Sequence, residues 1–466
     1  MTERPPETSP TEPPILESEE DYTLSADLVF AVDEALETGE PDKALGLVEG
    51  LHEADLADLL EALGRDHRQR LVEALGAAFD PEVLPSLVAS VREEVIDQLG
   101  PERLAHLLSA LHSDDAVEVF EDLDEEVQHR ILTALPYAYR HILEESLSYP
   151  EDSAGRLMQR EMVVIPSAWT IGETIDFMRA SEELPDDFYD LYIVNPKHHP
   201  IGFVPLSRAL RTRRPVRLTE IMEPDLKVIP LTMDREEVAY LFRQYGLVSA
   251  PVVDDAGRLV GVITVDDVVH IIEEEAEEDI MRLAGVSEVD LYSAILDTTR
   301  ARFPWLLVNL FTAILASAVI GFFEATIEQI VALAVLMPIV ASMGGNAGTQ
   351  TLAVAVRALA MKDLTEANAP RFIGKELVVG AANGVLFAVF AGLVAWLWFA
   401  SPEIGGVIAA AMVVNMIVAG AAGTLIPLGL VRFNVDPAIA SSVFVTTVTD
   451  VVGFLSFLGL AAAFLL

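Results

Sequence analysis

One carboxylate stands alone in an apolar stretch near the C-terminus. From Ala438 to Leu466 the only ionisable side chain is Asp450. It lies about 12 residues into that stretch, roughly 18 Å along a helix, and so near the middle of a bilayer. A charge at that depth costs at least about 3 kcal/mol on insertion scales, which makes it a functional group by default. Ser442, Thr446 and Asp450 follow at i, i+4 and i+8 and share one helix face. Hydroxyls in line with a carboxylate make that face the wall of an ion pathway. A second polar stretch, Met337 to Gln350, holds Pro338, Gly344, Gly345, Asn346, Gly348, Thr349 and Gln350 inside another apolar segment. Close helix packing accounts for the glycines alone. It does not account for Pro338 with Asn346, Thr349 and Gln350, which point to pore lining by a broken helix with exposed carbonyls. Asn309, Asn383 and Asn415 read as interhelical hydrogen bonds.

Five segments are long and apolar enough to carry these residues across a membrane: about 303–323, 329–356, 377–402, 404–431 and 437–466. Arg300, Arg302, Arg357, Lys362, Arg371, Lys375 and Arg432 flank them on one side, and the turns near Glu324–Glu328 and Ser401–Gly405 hold no Lys or Arg. This positive-inside pattern puts the N-terminus in the cytoplasm and the C-terminus outside.

The remainder of the chain is acidic. Of the formal net charge of −43, residues 303–466 carry −3 and the part before them −40. Such a field repels nucleic acid and attracts cations. With no cysteine, disulfides and thiolate metal sites are excluded. Residues 1–22, rich in Pro, Glu, Thr and Ser and without the basic and apolar regions of a signal peptide, read as a disordered acidic tail. From 23 to 150 the pattern is helical and repetitive: Leu51-His-Glu-Ala-Asp-Leu matches Leu111-His-Ser-Asp-Asp-Ala, and Pro or Gly closes several units. Short amphipathic helices stacked as a superhelix are the outcome. Ser113, Asp114 and Asp115 stand where a helix begins, so N-capping explains them, although a carboxylate there can also hold a cation.

A second repeat covers 154–275. Leu157-Met158 with Val164-Ile165-Pro166 returns as Ile221-Met222 with Val228-Ile229-Pro230, and Ile201-Gly-Phe-Val204 returns as Val260-Gly-Val-Ile263. The first copy has extra residues around Glu182–Asp187. Each copy reads strand, helix, two strands, helix. This resembles a tandem pair of CBS domains, with copies at 151–215 and 216–272. The resemblance implies a site for ATP or another adenine nucleotide, for which the second copy keeps Thr264 and Asp267. The first copy has Ser207-Arg-Ala-Leu210, with no Asp at the matching place. A connecting helix, 273–300, then carries six acids within Glu273–Asp279, with Gly285 as a C-cap.

An acidic helical domain, two CBS repeats, an acidic connecting helix and a five-span domain at 301–466 together resemble the MgtE family of magnesium channels. The most specific motifs are Gly344-Gly-Asn-Ala-Gly348, Arg357-Ala-Leu-Ala360, Asp436-Pro437-Ala438 and Thr446-Thr-Val-Thr-Asp450-Val-Val-Gly453. The resemblance implies a homodimer in the inner membrane, with a pore on its two-fold axis where paired Asp450 holds largely hydrated Mg²⁺. It further implies that cytosolic Mg²⁺ closes the pore by bridging Asp114 or Asp115, Glu236, Asp267, Glu275, Glu278 and Asp279. Gly246 and His270 stand where relatives can have a carboxylate. Three alternatives remain open: a channel for another divalent ion such as Co²⁺ or Mn²⁺, an exchanger for one, or a membrane-anchored CBS sensor without transport. No nucleophile–base pair or phosphate loop supports an enzyme.

Overall fold

The computed structural model describes residues 24–121, 123–181, 184–185, 187–286, 295–365, 367–433, 435–438 and 441–466. The tail read at 1–22, part of the extra stretch in the first repeat (Glu182, Glu183, Asp186) and 287–294 of the connecting segment lie outside them. Contacts divide the chain into two units, Met1–Val268 and Val269–Leu466.

The first unit begins with short α-helices, from Ala26–Glu37 to Tyr137–Ser146. The two similar segments both fold as helices, Glu53–Ala62 and Ser113–Glu121, and bury the apolar positions that recur three and four apart, such as Leu56, Leu59, Leu60 and Val117, Phe120. Two buried arginines repeat as well. Arg68 donates to the carbonyls of Leu60 and Leu63 and pairs with Glu94. Arg92 donates to Leu87 O and pairs with Glu118. Each guanidinium satisfies carbonyls that the end of a helix leaves unpaired.

The CBS repeat is visible strand for strand. Strands β1 (Val163–Pro166), β2 (Asp190–Val194) and β3 (Pro200–Pro205) form one sheet; β4 (Ile229–Pro230), β5 (Ser249–Val253) and β6 (Leu259–Thr264) form the other. In each, the first pair is parallel and the second antiparallel, with an irregularity at the same place, Ile193/Val194 and Val252/Val253. The repeated Met and Gly have a joint purpose. Gln159 exchanges both backbone hydrogen bonds with Val262 at 2.9 Å, while Glu223 does so with Phe203 at 3.1 and 2.8 Å. The chain leading into each copy therefore lies on the sheet of the other. A Cβ on Gly261 would stand 2.6 Å from Met158 Sδ, and one on Gly202 would stand 2.7 Å from Glu223 O. Only glycine admits those crossings.

One helix, Val265–Ala284, runs through the position where the sequence suggested a junction at 272/273. Gly285 takes the left-handed φ of +71° and the Val286 N–H bonds to Met281 O, the capping geometry anticipated for it. Among the described residues, five helices then have the length and apolarity of spans: Thr298–Gly321, Ala332–Ala360, Ala369–Phe399, Pro402–Arg432 and Ser442–Phe464. The second is continuous through Pro338 and the glycines, so the expected break in that helix is absent. Its glycines are packed against neighbouring spans, Gly344 against Asn415, Gly345 against Thr446 and Gly348 against Val445. The third and fourth spans touch backbone to backbone: a Cβ on Gly380 would stand 2.6 Å from Met416 O, and one on Gly405 2.7 Å from Gly392 O. Gly261→Ala should lower the stability of the first unit by about 1–3 kcal/mol, the usual cost of overpacking. Thermal unfolding of the full chain, followed at the transition of the first unit, checks it.

Candidate functional site

The acids gather in two clusters and the pore candidates in a third place. In the first unit, Ser113, Asp114 and Asp115 open the helix Ser113–Glu121 as its first residues. Residue 112 precedes them, so none of the three is the N-cap, which corrects the capping explanation. Ser113 is buried; its hydroxyl donates to Glu161 Oε2 and accepts from the Arg160 N–H, both at 2.8 Å. Ligand atoms of His112, Asp114 and Asp115 lie within 4.8 Å of one another. Asp114 Oδ1 is buried with no hydrogen-bond partner among the described residues.

Burial, then the charges of Asp267 and Asp115, push the Asp114 carboxyl well above its ordinary range. Burial, then Glu82 and Asp267, push Asp115 to about 7. Burial raises Glu82 too, and His112 opposes this. Carboxylates crowded in this way can be relieved by a divalent cation, and the mostly oxygen donor set suits a hard one. His112, Glu82 and Glu161 were not singled out from the sequence; the His-x-Asp-Asp spacing at a helix start was the available signal.

Asp267 joins this group through its charge, and its Oδ2 also accepts from the Thr264 hydroxyl at 2.6 Å. Glu236 is exposed in the first turn of Arg235–Tyr245. Gly246 closes that helix with φ +60°, a conformation that favours glycine over a carboxylate residue. Between the two CBS sheets' ends lies a cleft of about 740 Å³, lined among others by Tyr189, Asp190, Ser207, Lys227 and Tyr245. Lys227 Nζ sits 4.6 Å from the Tyr245 ring centroid. Thr264 and Asp267 are not among the lining residues.

In the second unit, the end of the acidic helix carries Glu275, Glu278 and Asp279. Arg282 pairs with Glu278 and with Asp436, the acid that precedes the fifth span. Asp436 Oδ1 also accepts from the Ala438 N–H at 2.7 Å. Burial, then Asp436 and Glu275, raise Asp279 to about 6. His270 is exposed on the same helix. Leu283, four residues on from Asp279, packs in an apolar cluster with Leu352, Val356, Ala422, Ala438 and Val445. The acid cluster is thus tied by packing to the second, fourth and fifth spans.

Asp450 is half-buried and makes no hydrogen bond or ion pair with any described residue. The Thr446 hydroxyl donates to Ser442 O at 2.8 Å, so it is held along the helix. The second span meets the fifth beside it: a Cβ on Gly348 would stand 2.5 Å from Val445 Cγ1 and one on Gly345 3.8 Å from Thr446 Cγ2. Ser342, Asn346 and Gln350, one turn apart on the second span, are exposed on the single chain. Of the three asparagines read as interhelical, Asn415 is one, donating to Val340 O at 2.8 Å; Asn309 and Asn383 are exposed. Glu376, left just outside the third span by the apolar window, is buried within that helix and accepts from the Thr351 hydroxyl at 3.3 Å.

Three family models match the chain: MgtE, described as divalent cation transporter, at 337–460; the MgtE intracellular N domain at 51–152; and the CBS domain at 218–274. A magnesium transporter MgtE of Thermus thermophilus is 34% identical over 74% of this chain and 78% of its own length. That of Bacillus subtilis is 29% identical over 77% of this chain and 80% of its own length. Among solved structures, the cytosolic domain of the Mg²⁺ channel MgtE in complex with ATP is similar at 31% identity and a TM-score of 0.49, covering 52% of this chain and 99% of that one.

The raised carboxyl of Asp115 fixes the sign of a pH dependence. Folded, it keeps its proton to about pH 7; unfolded, it loses it near 3.8. Between those values the native state binds the extra proton, so stability falls as pH rises. In EDTA the full chain should melt at progressively lower temperature from about pH 5 to about pH 7, and Asp115→Asn should flatten that slope. Melting curves across that range, with and without Mg²⁺, check both statements, and Mg²⁺ should restore the loss at the upper end.

Proposed function

The chain belongs to the MgtE family of divalent cation transporters, and from that premise we propose that it is a Mg²⁺ channel of the inner membrane, working as a homodimer and closed by Mg²⁺ on its cytosolic side. Asp450 carries the reading. A carboxylate at bilayer depth with no partner among the described residues of its own chain needs a positive charge or water close by. The exposed row Ser342, Asn346 and Gln350 argues the same way, because polar side chains at that depth face protein or a wet path. A second copy related by a two-fold axis answers both needs, with Asp450 from each copy holding one hydrated Mg²⁺ between them. Mg²⁺ gives up water reluctantly and prefers octahedral oxygen, so two carboxylates can grip its hydrated shell. Gly345, Asn346, Ser442 and Thr446 line the path in this reading, with the N-terminus cytoplasmic and the C-terminus outside; Gly344 and Gly348, expected there from the sequence, are instead buried against Asn415 and Val445 of the same chain and serve the packing of the spans.

The acid clusters supply the gate. Asp114, Asp115 and Asp267 repel one another when no ion is bound, and so do Glu275, Asp279 and Asp436. Mg²⁺ removes the repulsion within each cluster. The helix Val265–Ala284 carries members of both, so their loading holds that helix, and Leu283 passes the constraint to Val445. Moving a gate from mostly open to mostly closed takes about 5.5 kcal/mol of differential binding, which several weak sites on two subunits can supply. The aromatic and basic lining of the CBS cleft, Tyr189, Lys227 and Tyr245, supports an adenine nucleotide as a second regulator.

In liposomes, wild-type protein should carry Mg²⁺ in preference to Co²⁺ and Mn²⁺, and Asp450→Ala should lose at least about tenfold of the flux or the preference. Flux unchanged by Asp450→Ala would leave a membrane-anchored sensor as the better reading. Protease cleavage between residues 150 and 300 should be slower in high Mg²⁺ than in EDTA, and equal rates would remove the gating.

A further inference from the structure

We infer that Asn415 of the fourth span is a positioning residue for Mg²⁺ selection: its side chain, wedged between Gly344 and Gly453, sets where the carboxylate of Asp450 stands. The inference rests on the reading of Asp450 given above. Asn415 is fully buried at membrane depth, where a polar amide is costly unless its groups are satisfied. Its Nδ2 donates to Val340 O at 2.8 Å, which fixes the amide to the second span one turn before Gly344. Its Oδ1 is buried with no partner among the described residues, so hydrogen bonding satisfies only one end of the amide. Anchoring alone does not explain that arrangement. Shape does.

A Cβ on Gly344 would lie 2.1 Å from Asn415 Nδ2, and a Cβ on Gly453 would lie 2.8 Å from the same atom. Neither position admits a methyl group while the amide is in place. The two glycines belong to different helices, and each adjoins a candidate pore element: Gly344 opens the Gly344–Gly348 stretch, and Gly453 is one turn beyond Asp450. The amide therefore acts as a spacer of fixed width between the second and fifth spans. It is tied to one by a hydrogen bond and pressed against the bare backbone of the other. Close-packed interiors transmit such a displacement, because the neighbours have no free volume to absorb it. Val445 against Gly348 is the next such contact along the same pair of helices. Nothing places Asn415 in contact with the ion; it acts through the two helices.

The test uses full-length protein in liposomes and reads the Mg²⁺-to-Ca²⁺ flux ratio and the half-saturating Mg²⁺ concentration per folded dimer. Asn415→Ala should reduce the ratio about tenfold and raise half-saturation, since sub-ångström to ångström displacements of a binding group have effects of that order or larger. Gly344→Ala should impair the ratio at least as much, because its methyl collides with the amide. The double variant Gly344→Ala/Asn415→Ala, in which the methyl enters the vacated space, should lie closer to wild type than Gly344→Ala alone. A merely structural wedge would change yield and melting temperature while ratio and half-saturation stayed at wild-type values, and that result overturns the inference. So does a double variant no better than Gly344→Ala. If Asn415→Ala does not fold, Asn415→Ser, which keeps a smaller donor, carries the same ratio test. Asp450→Ala runs in parallel: unchanged flux there sinks the underlying reading instead of this one.

Discussion

A carboxylate placed in hydrocarbon has to meet something that stabilises its charge, and the remainder of this fold is arranged around that requirement. Asp450 finds no hydrogen bond or ion pair among the described residues of its own chain. Nor is it buried against a hydroxyl of a neighbouring span, as Glu376 is buried against Thr351. Instead the faces around it are filled by small residues. Gly345 and Gly348 bring the second span close to the fifth beside Thr446 and Val445, and Gly453 receives Asn415 one turn away. Close approach of backbones holds the helix that carries the carboxylate tightly against its neighbours.

The acidic clusters follow the same physics in a wetter setting. In each, burial first and then the charges of neighbouring carboxylates raise a carboxyl above the ordinary range: Asp115 to about 7 and Asp279 to about 6. Charge crowding of that kind makes an apo state that is poised to gain from a divalent cation. In the second cluster the chain supplies a cation of its own. Arg282 bridges Glu278 and Asp436, so part of the repulsion is already met, while burial, then the charges of Asp436 and Glu275, still raise Asp279. Leu283 next to this arginine shares an apolar cluster with Val445, five residues before Asp450.

Much of this architecture was legible in the sequence because it rests on local rules. The five spans follow from apolar length, and the CBS strands from a repeat whose Met and Gly prove to be crossing points between the copies. Long-range relations were not legible. The second span was expected to break at Pro338 and its glycines, but glycines packed against other helices allow an unbroken helix. Capping was offered for Asp114 and Asp115, yet they lie inside the helix, and their partners Glu82 and Asp267 come from distant parts of the chain. Asn309, Asn383 and Asn415 look alike as single polar residues in apolar spans; burial, the bond to Val340 O and the glycines opposite distinguish Asn415, and those partners lie on two other helices. Residue types announce that a polar group in a membrane matters, while the packing decides what it does.

The central claim is that one ion is held by two copies of Asp450. Co-expressing wild-type chain with Asp450→Asn in equal amounts, and measuring Mg²⁺ flux per chain in membranes, tests it most directly. Random pairing leaves about a quarter of dimers with both carboxylates, so flux should fall to near that fraction of wild type. Flux at about half of wild type would mean that each chain conducts by itself, and would contradict the account.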